Sequence, residues 1–190
     1  MTQADPKADL HHYLRQARGV VLWKLDGLSE YDARRPFTPT ATNLLGLVKH
    51  LASVEHGYFG DVFGRPGEPL PWDYENDMWA AADESRDMII GRYRRVQAHS
   101  DATIEALPLD AVGHVPWWPE ARREVTLSRI LAHVTTETHR HAGHADIIRE
   151  LIDGNAGHRQ EAGNMPPGDE QWWREYRQRV EDAALQASRA

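Results

Sequence analysis

The segment 127–152 places the strongest constraint on the fold of this 190-residue chain, because it has the pattern of one long helix. Its apolar residues fall on one face at the 3.6-residue period of an α-helix. They are Leu127, Ile130, Leu131, Val134, Ala145, Ile148 and Ile152. Thr126 precedes the segment as an N-cap residue, and Gly154 follows it as a C′ glycine. A helix of this length needs neighbouring helices along its apolar face.

Four more segments have helical periodicity, and proline- and glycine-rich connectors separate them. The predicted helices are 9–28 ending near Gly27, 44–64 after Thr42 or Asn43, 85–107 with Asp83 or Ser85 as the cap, and 169–187. The connectors 32–40, 64–79, 116–119 and 155–168 are expected to be irregular. No segment shows a strand pattern. We therefore predict an all-α fold, a four-helix bundle with an additional C-terminal helix.

The whole chain, 1–190, is expected to form a single domain, with the bundle over about 9–155, a linker over 155–168 and the last helix over 169–187. Lys and Arg number 22 against 29 Asp and Glu, and the net charge of −7 opposes binding to nucleic acid. No segment approaches the roughly 20 apolar residues that cross a bilayer, and 1–7 lacks a signal-peptide pattern. We expect no nucleic-acid partner, no membrane association and a cytoplasmic location.

Two residue counts bound the chemistry of the chain: it has no cysteine and 11 histidines. The first count excludes disulfides, thiolate ligands, iron–sulfur clusters and a cysteine nucleophile. The second leaves imidazole and carboxylate groups as the strong metal ligands. Any metal site in this chain is therefore of the nitrogen and oxygen type.

The long helix carries six side chains that could bind a metal: His133, Glu137, His139, His141, His144 and Asp146. Residues four apart lie about 6 Å apart on one face, so His133 with Glu137, or Glu137 with His141, could chelate one ion. His133 and His141 are roughly 12 Å apart at 1.5 Å per residue, so the two pairs cannot share an ion. One pair must be chosen.

Helical phase favours the second pair. The apolar line, extended in steps of 3.6 residues, reaches His141, and Glu137 lies one turn back at the edge of the same face. A buried glutamate needs a partner, and a divalent cation supplies one. His50, on the inner side of the second helix, is the best third ligand, and two histidines with one glutamate make the open pattern of catalytic zinc sites. A hydrogen-bonded core histidine and a plain Glu137–His141 pair remain the structural alternatives.

For five other histidines and four tryptophans we expect structural positions and no part in a metal site. We expect five histidines at the surface or in loops, namely His11, His12, His99, His114 and His158. Four tryptophans are expected to pack the ends of the bundle, namely Trp117, Trp118, Trp172 and Trp173.

Two stretches of the sequence resemble the DinB-like, YfiT-like superfamily of metal-dependent helical bundles, and in particular its actinobacterial branch that includes the mini-circle protein. The stretches are 44–51 (LLGLVKHL) with Glu55 following, and 137–150 (ETHRHAGHADIIRE). The resemblance implies a four-helix bundle whose metal ligands are His50, Glu137 and His141. The first paired ligand is usually histidine in this superfamily, but glutamate occurs there in the mycothiol-dependent maleylpyruvate isomerase relatives. Arg-Gly-Gln usually follows the second ligand, where this chain has Ala-Gly-His.

The resemblance implies a metal-dependent transferase that uses a low-molecular-weight thiol of the mycothiol type on an electrophilic small molecule. The expected ion is zinc or nickel, and mycothiol is the expected co-substrate. His144 would relay a proton or orient a ligand. Relatives are often dimers, so a homodimer is expected. Two alternatives stay open: a hydrolase that activates water on the same ion, and a non-catalytic metal-binding or structural bundle.

Overall fold

A computed structural model describes residues 5–160 and 165–189 of the chain. In these residues six α-helices accompany one small antiparallel sheet, which confirms the predicted all-α class. The helices are α1 (Pro6–Trp23), α2 (Glu30–Arg34), α3 (Leu44–Glu55), α4 (Arg86–Ala106), α5 (Leu127–Asp153) and α6 (Glu170–Ala187). The strands are β1 (Val112–His114) and β2 (Glu124–Thr126). No helix in the part of the chain described here has the length and apolarity that a bilayer crossing requires.

Helices α3, α4 and α5 begin where their local sequence signals predict, whereas α1 was predicted over 9–28 and instead runs from Pro6 to Trp23 after the cap Asp5. The side chains of Asn43, Ser85 and Thr126 each accept a hydrogen bond from a backbone N–H in the first turn of the following helix. Gly154 ends α5 in the left-handed conformation, with φ of 78°, which a glycine adopts without steric cost. These contacts satisfy backbone groups that a helix end would otherwise leave unpaired.

Helices α1, α3, α4 and α5 form the bundle around two apolar clusters. One cluster includes Leu45, Leu51, Ile89, Ala145 and Ile148, and the other includes Leu14, Phe59, Ile104, Leu131 and Val134. On α5 the second cluster ends at residue 134 and the first begins at residue 142. The polar segment of α5 that carries Glu137 and His141 therefore lies between the two clusters.

Three local features differ from the predictions. The second predicted helix reaches Gly64 as expected, but it is α-helical only to Glu55 and continues as a π turn over His56–Gly60 and a 3₁₀ turn over Asp61–Phe63. The connector 32–40 was expected to be irregular, yet α2 reaches into it. The sheet was also not predicted, because strands of three residues are too short to show alternation.

The last helix, α6, begins after the cap Asp169 as predicted, and none of its residues is buried. Trp172 and Trp173 are half-buried and pack with Tyr176 of the same helix. The linker predicted over 155–168 contains 161–164, which lies outside the described residues. The assignment of α6 to the same domain as the bundle stays a prediction.

A buried ionic network joins α1, α3 and α4. Arg18 donates two hydrogen bonds to Glu55, at 2.9 and 2.6 Å, and Tyr93 donates to the same carboxylate at 3.0 Å. Burial opposes the charge of Arg18, but the Glu55 carboxylate holds the pKa of Arg18 above its usual value. Arg18 and His11 also bind Asp101, at 2.6 and 2.7 Å. The expectation that His11 lies at the surface was wrong, because its ring is buried as a partner of Asp101.

This network predicts a pH-dependent contribution of Asp101 to stability. Burial alone would raise the pKa of Asp101, but Arg18 and His11 lower it overall. A carboxylate with a lowered folded pKa stabilises the fold above its unfolded pKa and loses this contribution as the pH falls through the folded pKa. Asp101→Asn should therefore cost about 1–2 kcal/mol of unfolding free energy at pH 7, and less in acid near pH 3. Urea unfolding at both pH values measures this, and an equal cost at both would contradict it.

Candidate metal centre

Three side chains from two helices converge between the apolar clusters. His50 comes from α3, and Glu137 and His141 come from consecutive turns of α5. Glu137 Oε1 lies 2.9 Å from His141 Nε2 and 3.9 Å from His50 Nε2. One ligand atom of each residue lies within 4.8 Å of the other two. The residues predicted from phase and spacing are thus neighbours in the fold.

The donor set fits a divalent ion of the zinc type. Ligands about 2.1 Å from an ion in tetrahedral geometry lie roughly 3.4 Å from one another, so small side-chain rotations would bring the three atoms to those separations. The side chains of His50 and Glu137 are 23% and 27% exposed, while that of His141 is 9% exposed. The group therefore offers three candidate ligands and an open side that faces solvent, an arrangement that fits catalytic zinc sites.

The protonation state of His141 also suits ligation. Burial lowers the pKa of His141, and the neighbouring His50 lowers it further, against the opposing effect of Glu137. A neutral imidazole is the form that binds metal. His141 is therefore available as a ligand at neutral pH without first losing a proton.

Asp77 holds the ring of His50 from behind. Both carboxylate oxygens of Asp77 lie 3.1 Å from His50 Nδ1, so they accept the Nδ1 hydrogen and leave the lone pair of Nε2 directed toward Glu137. Asp77 is buried. A carboxylate that orients a histidine in this way is a common partner of metal-binding histidines. Sequence reasoning missed Asp77, because no periodic pattern marks a residue in the 64–79 loop.

Buried contacts with α3 fix the loop that carries Asp77. Lys49 is buried and donates hydrogen bonds to the carbonyl oxygens of Asn76 and Trp79, each at 3.0 Å. Asn43 donates to the carbonyl oxygen of Met78 at 3.1 Å. A side chain at Gly46 would overlap that same carbonyl group, so only glycine permits the close approach. The stretch 43–50 thus supplies both the candidate ligand His50 and the contacts that hold the loop carrying Asp77.

Three other candidate ligands on α5, namely His133, His144 and Asp146, lie outside the group of three. His144 is exposed, and its Nδ1 lies 3.4 Å from His141 Nδ1. His133 does not join the three ligand atoms; its ring packs edge-on against Tyr58 and Trp118, at centroid distances of 4.8 and 5.2 Å. Asp146 instead pairs with the buried Lys24 of the segment after α1.

The other histidines and the aromatic side chains are scattered. Three histidines expected at the surface are exposed, namely His12, His114 and His158, and His99 is half-buried beside the carbonyl oxygen of Arg65. Trp118 packs against the second apolar cluster. Trp117 is 51% exposed. None of these histidines contributes to the three-residue centre.

The fold and the centre together define a class: helical bundles with an open site made of two histidines and one glutamate. Comparison with known families narrows this class, because the family model for mycothiol-S-transferase matches residues 9–154. The chain belongs to this family, a member of the DinB-like superfamily, as the sequence resemblance predicted. Membership associates the chain with mycothiol-related transfer and a small-molecule thiol. No curated protein matches the chain.

Removing the carboxylate behind His50 should weaken metal binding without removing a ligand. Asp77→Ala leaves the Nδ1 hydrogen of His50 without its acceptor and frees the ring to turn. We expect zinc affinity to fall by about 10–100-fold, and Asp77→Asn, which keeps an acceptor oxygen, to lose less. Competition with a chromophoric chelator measures the affinity. Asp73→Ala, at an exposed position in the same loop, is the control; an unchanged affinity in Asp77→Ala would contradict the orienting role.

Proposed function

We propose that this protein is a metal-dependent transferase that activates a low-molecular-weight thiol of the mycothiol type and transfers it to an electrophilic small molecule. The observation that carries the proposal is the convergence of His50, Glu137 and His141 on one open site, in a member of the mycothiol-S-transferase family. The chain has no cysteine, so the nucleophilic sulfur comes from the co-substrate.

A divalent ion bound by these residues would favour the thiolate form of a coordinated thiol, which is the nucleophilic form. Within the chain, His50 and His141 supply neutral nitrogen ligands, and Glu137 supplies one negative charge. A divalent ion carries two positive charges, so the site with Glu137 would have a net charge of about +1. This net positive charge would attract the thiolate.

His144 has a positioning role in the proposal. When Nε2 of His141 serves as a ligand, its Nδ1 carries the hydrogen, and Nδ1 of His144 is the acceptor 3.4 Å away. His144 would thus hold the ligating tautomer of His141, as Asp77 does for His50. Since His144 is exposed, it can also exchange a proton with solvent, which suits the proton released when the thiol ionises.

A conjugation assay tests the proposed function. Purified protein is stripped of metal with a chelator, reloaded with zinc or nickel, and mixed with mycothiol and monochlorobimane. We expect conjugation well above the uncatalysed rate only in the reloaded protein. Equal rates with and without metal would contradict the proposal. Hydrolysis of an ester substrate that needs metal but no thiol would favour the water-activating alternative instead.

The native ion, the oligomeric state and the cellular location of the protein are also proposed. Nitrogen and carboxylate ligands suit zinc and nickel, and we propose one of these as the native ion. We also propose that the protein is a homodimer and that it is cytoplasmic. Elemental analysis of purified protein, light scattering and cell fractionation measure these three properties.

A further inference from the structure

An apolar cavity opens beside the metal centre. Its volume is about 420 Å³, which is within the range of about 300–1,000 Å³ typical of small-molecule sites. Seven residues line it: Ser53, Val54, Gly57, Tyr58, Asp61, Tyr74 and Trp117. Three of these side chains are aromatic. Nothing in the proposed chemistry of the three ligands uses them.

The helix that carries His50 continues into this cavity, and α5 contacts one of its aromatic walls. On α3, Ser53 and Val54 follow His50 by three and four residues and so lie on its face, and Tyr58 lies on the π turn that follows. On α5, His133 lies one turn before Glu137, and its ring contacts Tyr58 with the centroids 4.8 Å apart. The cavity therefore begins about one helical turn, roughly 6 Å, from His50. A molecule seated in it could place a reactive atom at the open side of the centre.

The charges around the cavity disfavour anions. Among the described residues that line it, Asp61 is the sole charged one, and none is a lysine or arginine. Tyr74 is 56% exposed; partial desolvation of its hydroxyl and the carboxylates of Asp61 and Asp77 raise its pKa to about 12, so the hydroxyl stays neutral. The hydroxyl of Tyr58 accepts hydrogen bonds from Trp117 and Trp118, at 3.3 and 3.0 Å. These bonds fix the aromatic walls.

We infer that this cavity binds the electrophilic substrate and that it selects an uncharged aromatic molecule over a carboxylate-bearing one. The inference rests on the proposed function for the role of the bound molecule as a substrate. Aromatic rings bury well between tyrosine and tryptophan side chains. An anion would lose its hydration next to Asp61 with no cation from the lining to replace it.

Gly57 lies at the floor of the cavity, where the absence of a side chain leaves space between Tyr74 and Trp117. A methyl group at this position would lie 3.1 Å from the Tyr74 hydroxyl and 3.2 Å from the Trp117 ring. These are tight contacts, so a side chain at residue 57 would occupy the space between the two aromatic walls. The floor of the cavity therefore needs a residue without a side chain.

Binding of two molecules of equal shape tests the selectivity without any turnover. Naphthamide and naphthoate differ in an amide and a carboxylate, and calorimetry on the metal-free protein measures both, so that the carboxylate has no metal ion to bind. We expect naphthamide to bind at least about tenfold more tightly than naphthoate, because the cavity offers no cation to a carboxylate. Equal affinities, tighter naphthoate binding, or no detectable naphthamide binding would overturn the inference.

A pair of tryptophan variants locates the binding. Trp117→Ala removes one aromatic wall and should weaken naphthamide binding about fivefold or more. Trp173→Ala makes the same change on α6, away from the cavity, and should leave the affinity unchanged. Both tryptophans are partly exposed, so neither variant removes a core residue. Equal effects of the two variants, or no effect of Trp117→Ala, would overturn the assignment to this cavity.

Turnover separates this inference from the proposed function. In the expected reaction the mycothiol sulfur bonds to the ring carbon of chlorodinitrobenzene, chloride leaves with the bonding electron pair, and the thiol proton goes to solvent. We expect a rate enhancement over the uncatalysed reaction at least about tenfold larger than for chlorodinitrobenzoate. Equal enhancements would overturn the inference. Selective naphthamide binding without conjugation of either compound would instead contradict the proposed function and leave the selectivity of the cavity supported.

Discussion

His141→Ala is expected to lose at least about 100-fold in zinc affinity, because it removes the most buried of the three ligands, and orienting residues alone contribute 10–100-fold. Thiol conjugation should fall by a comparable factor at zinc concentrations that saturate the unaltered protein. Chelator competition and the conjugation assay measure the two losses. The same zinc dependence in His141→Ala and the unaltered protein would contradict the assignment of this ligand.

His12→Ala is the matched control for this variant. His12 is exposed on α1 and has no part in the three-residue centre. Its loss should change neither zinc affinity nor conjugation. If the two alanine variants lost conjugation equally, the loss would reflect a general effect of removing histidine and not the centre itself.

Arg18→Met is expected to destabilise the fold by about 3–5 kcal/mol, because it leaves the Glu55 carboxylate buried without its partner. Arg18 is 3% exposed and Glu55 is fully buried, and two hydrogen bonds join them. Tyr93 would remain as a donor to Glu55, but a neutral hydroxyl cannot balance the charge. Urea unfolding at pH 7 measures the loss. A change under about 1 kcal/mol would show that water or another group solvates Glu55 in the variant.

Arg174→Met provides a comparison for Arg18→Met. Arg174 pairs with Glu170 at 3.3 Å on α6, where both side chains are largely exposed. Exposed pairs of this kind contribute little to stability, so the variant should unfold close to the unaltered protein. The double variant Arg18→Met with Glu55→Leu should recover much of the lost stability, since it removes both charges from the interior.

Local signals in the sequence predict the starts of α3, α4 and α5 and the inner face of α5. Asn43, Ser85 and Thr126 act as caps within one turn of their own residue, so neighbouring residues are enough to identify them. His141 and Glu137 follow from the apolar period of a single helix. His50 was chosen by the same rule on α3, and the two helices bring it within reach of Glu137. These residues are predictable because each depends on a periodic pattern.

The sequence does not predict contacts between segments that are far apart along the chain. Asp77 lies 27 residues from His50, and its role depends on where Lys49 and Asn43 hold the loop. His11 looked like a surface residue because its partner Asp101 belongs to another helix, 90 residues away. The sheet, likewise, depends on the pairing of two short strands across the 115–123 connection. No periodic pattern records such pairings.

Cobalt substitution tests the central claim most directly, namely that His50, Glu137 and His141 hold an ion with a position open to a thiol. Cobalt(II) replaces zinc in nitrogen and oxygen sites and reports its ligands by absorption. The expected result is a near-ultraviolet sulfur-to-cobalt charge-transfer band when mycothiol is added to the cobalt-loaded protein, and no such band in His141→Ala. A cobalt-loaded protein that shows no band with mycothiol, or an equal band in the variant, would contradict the claim.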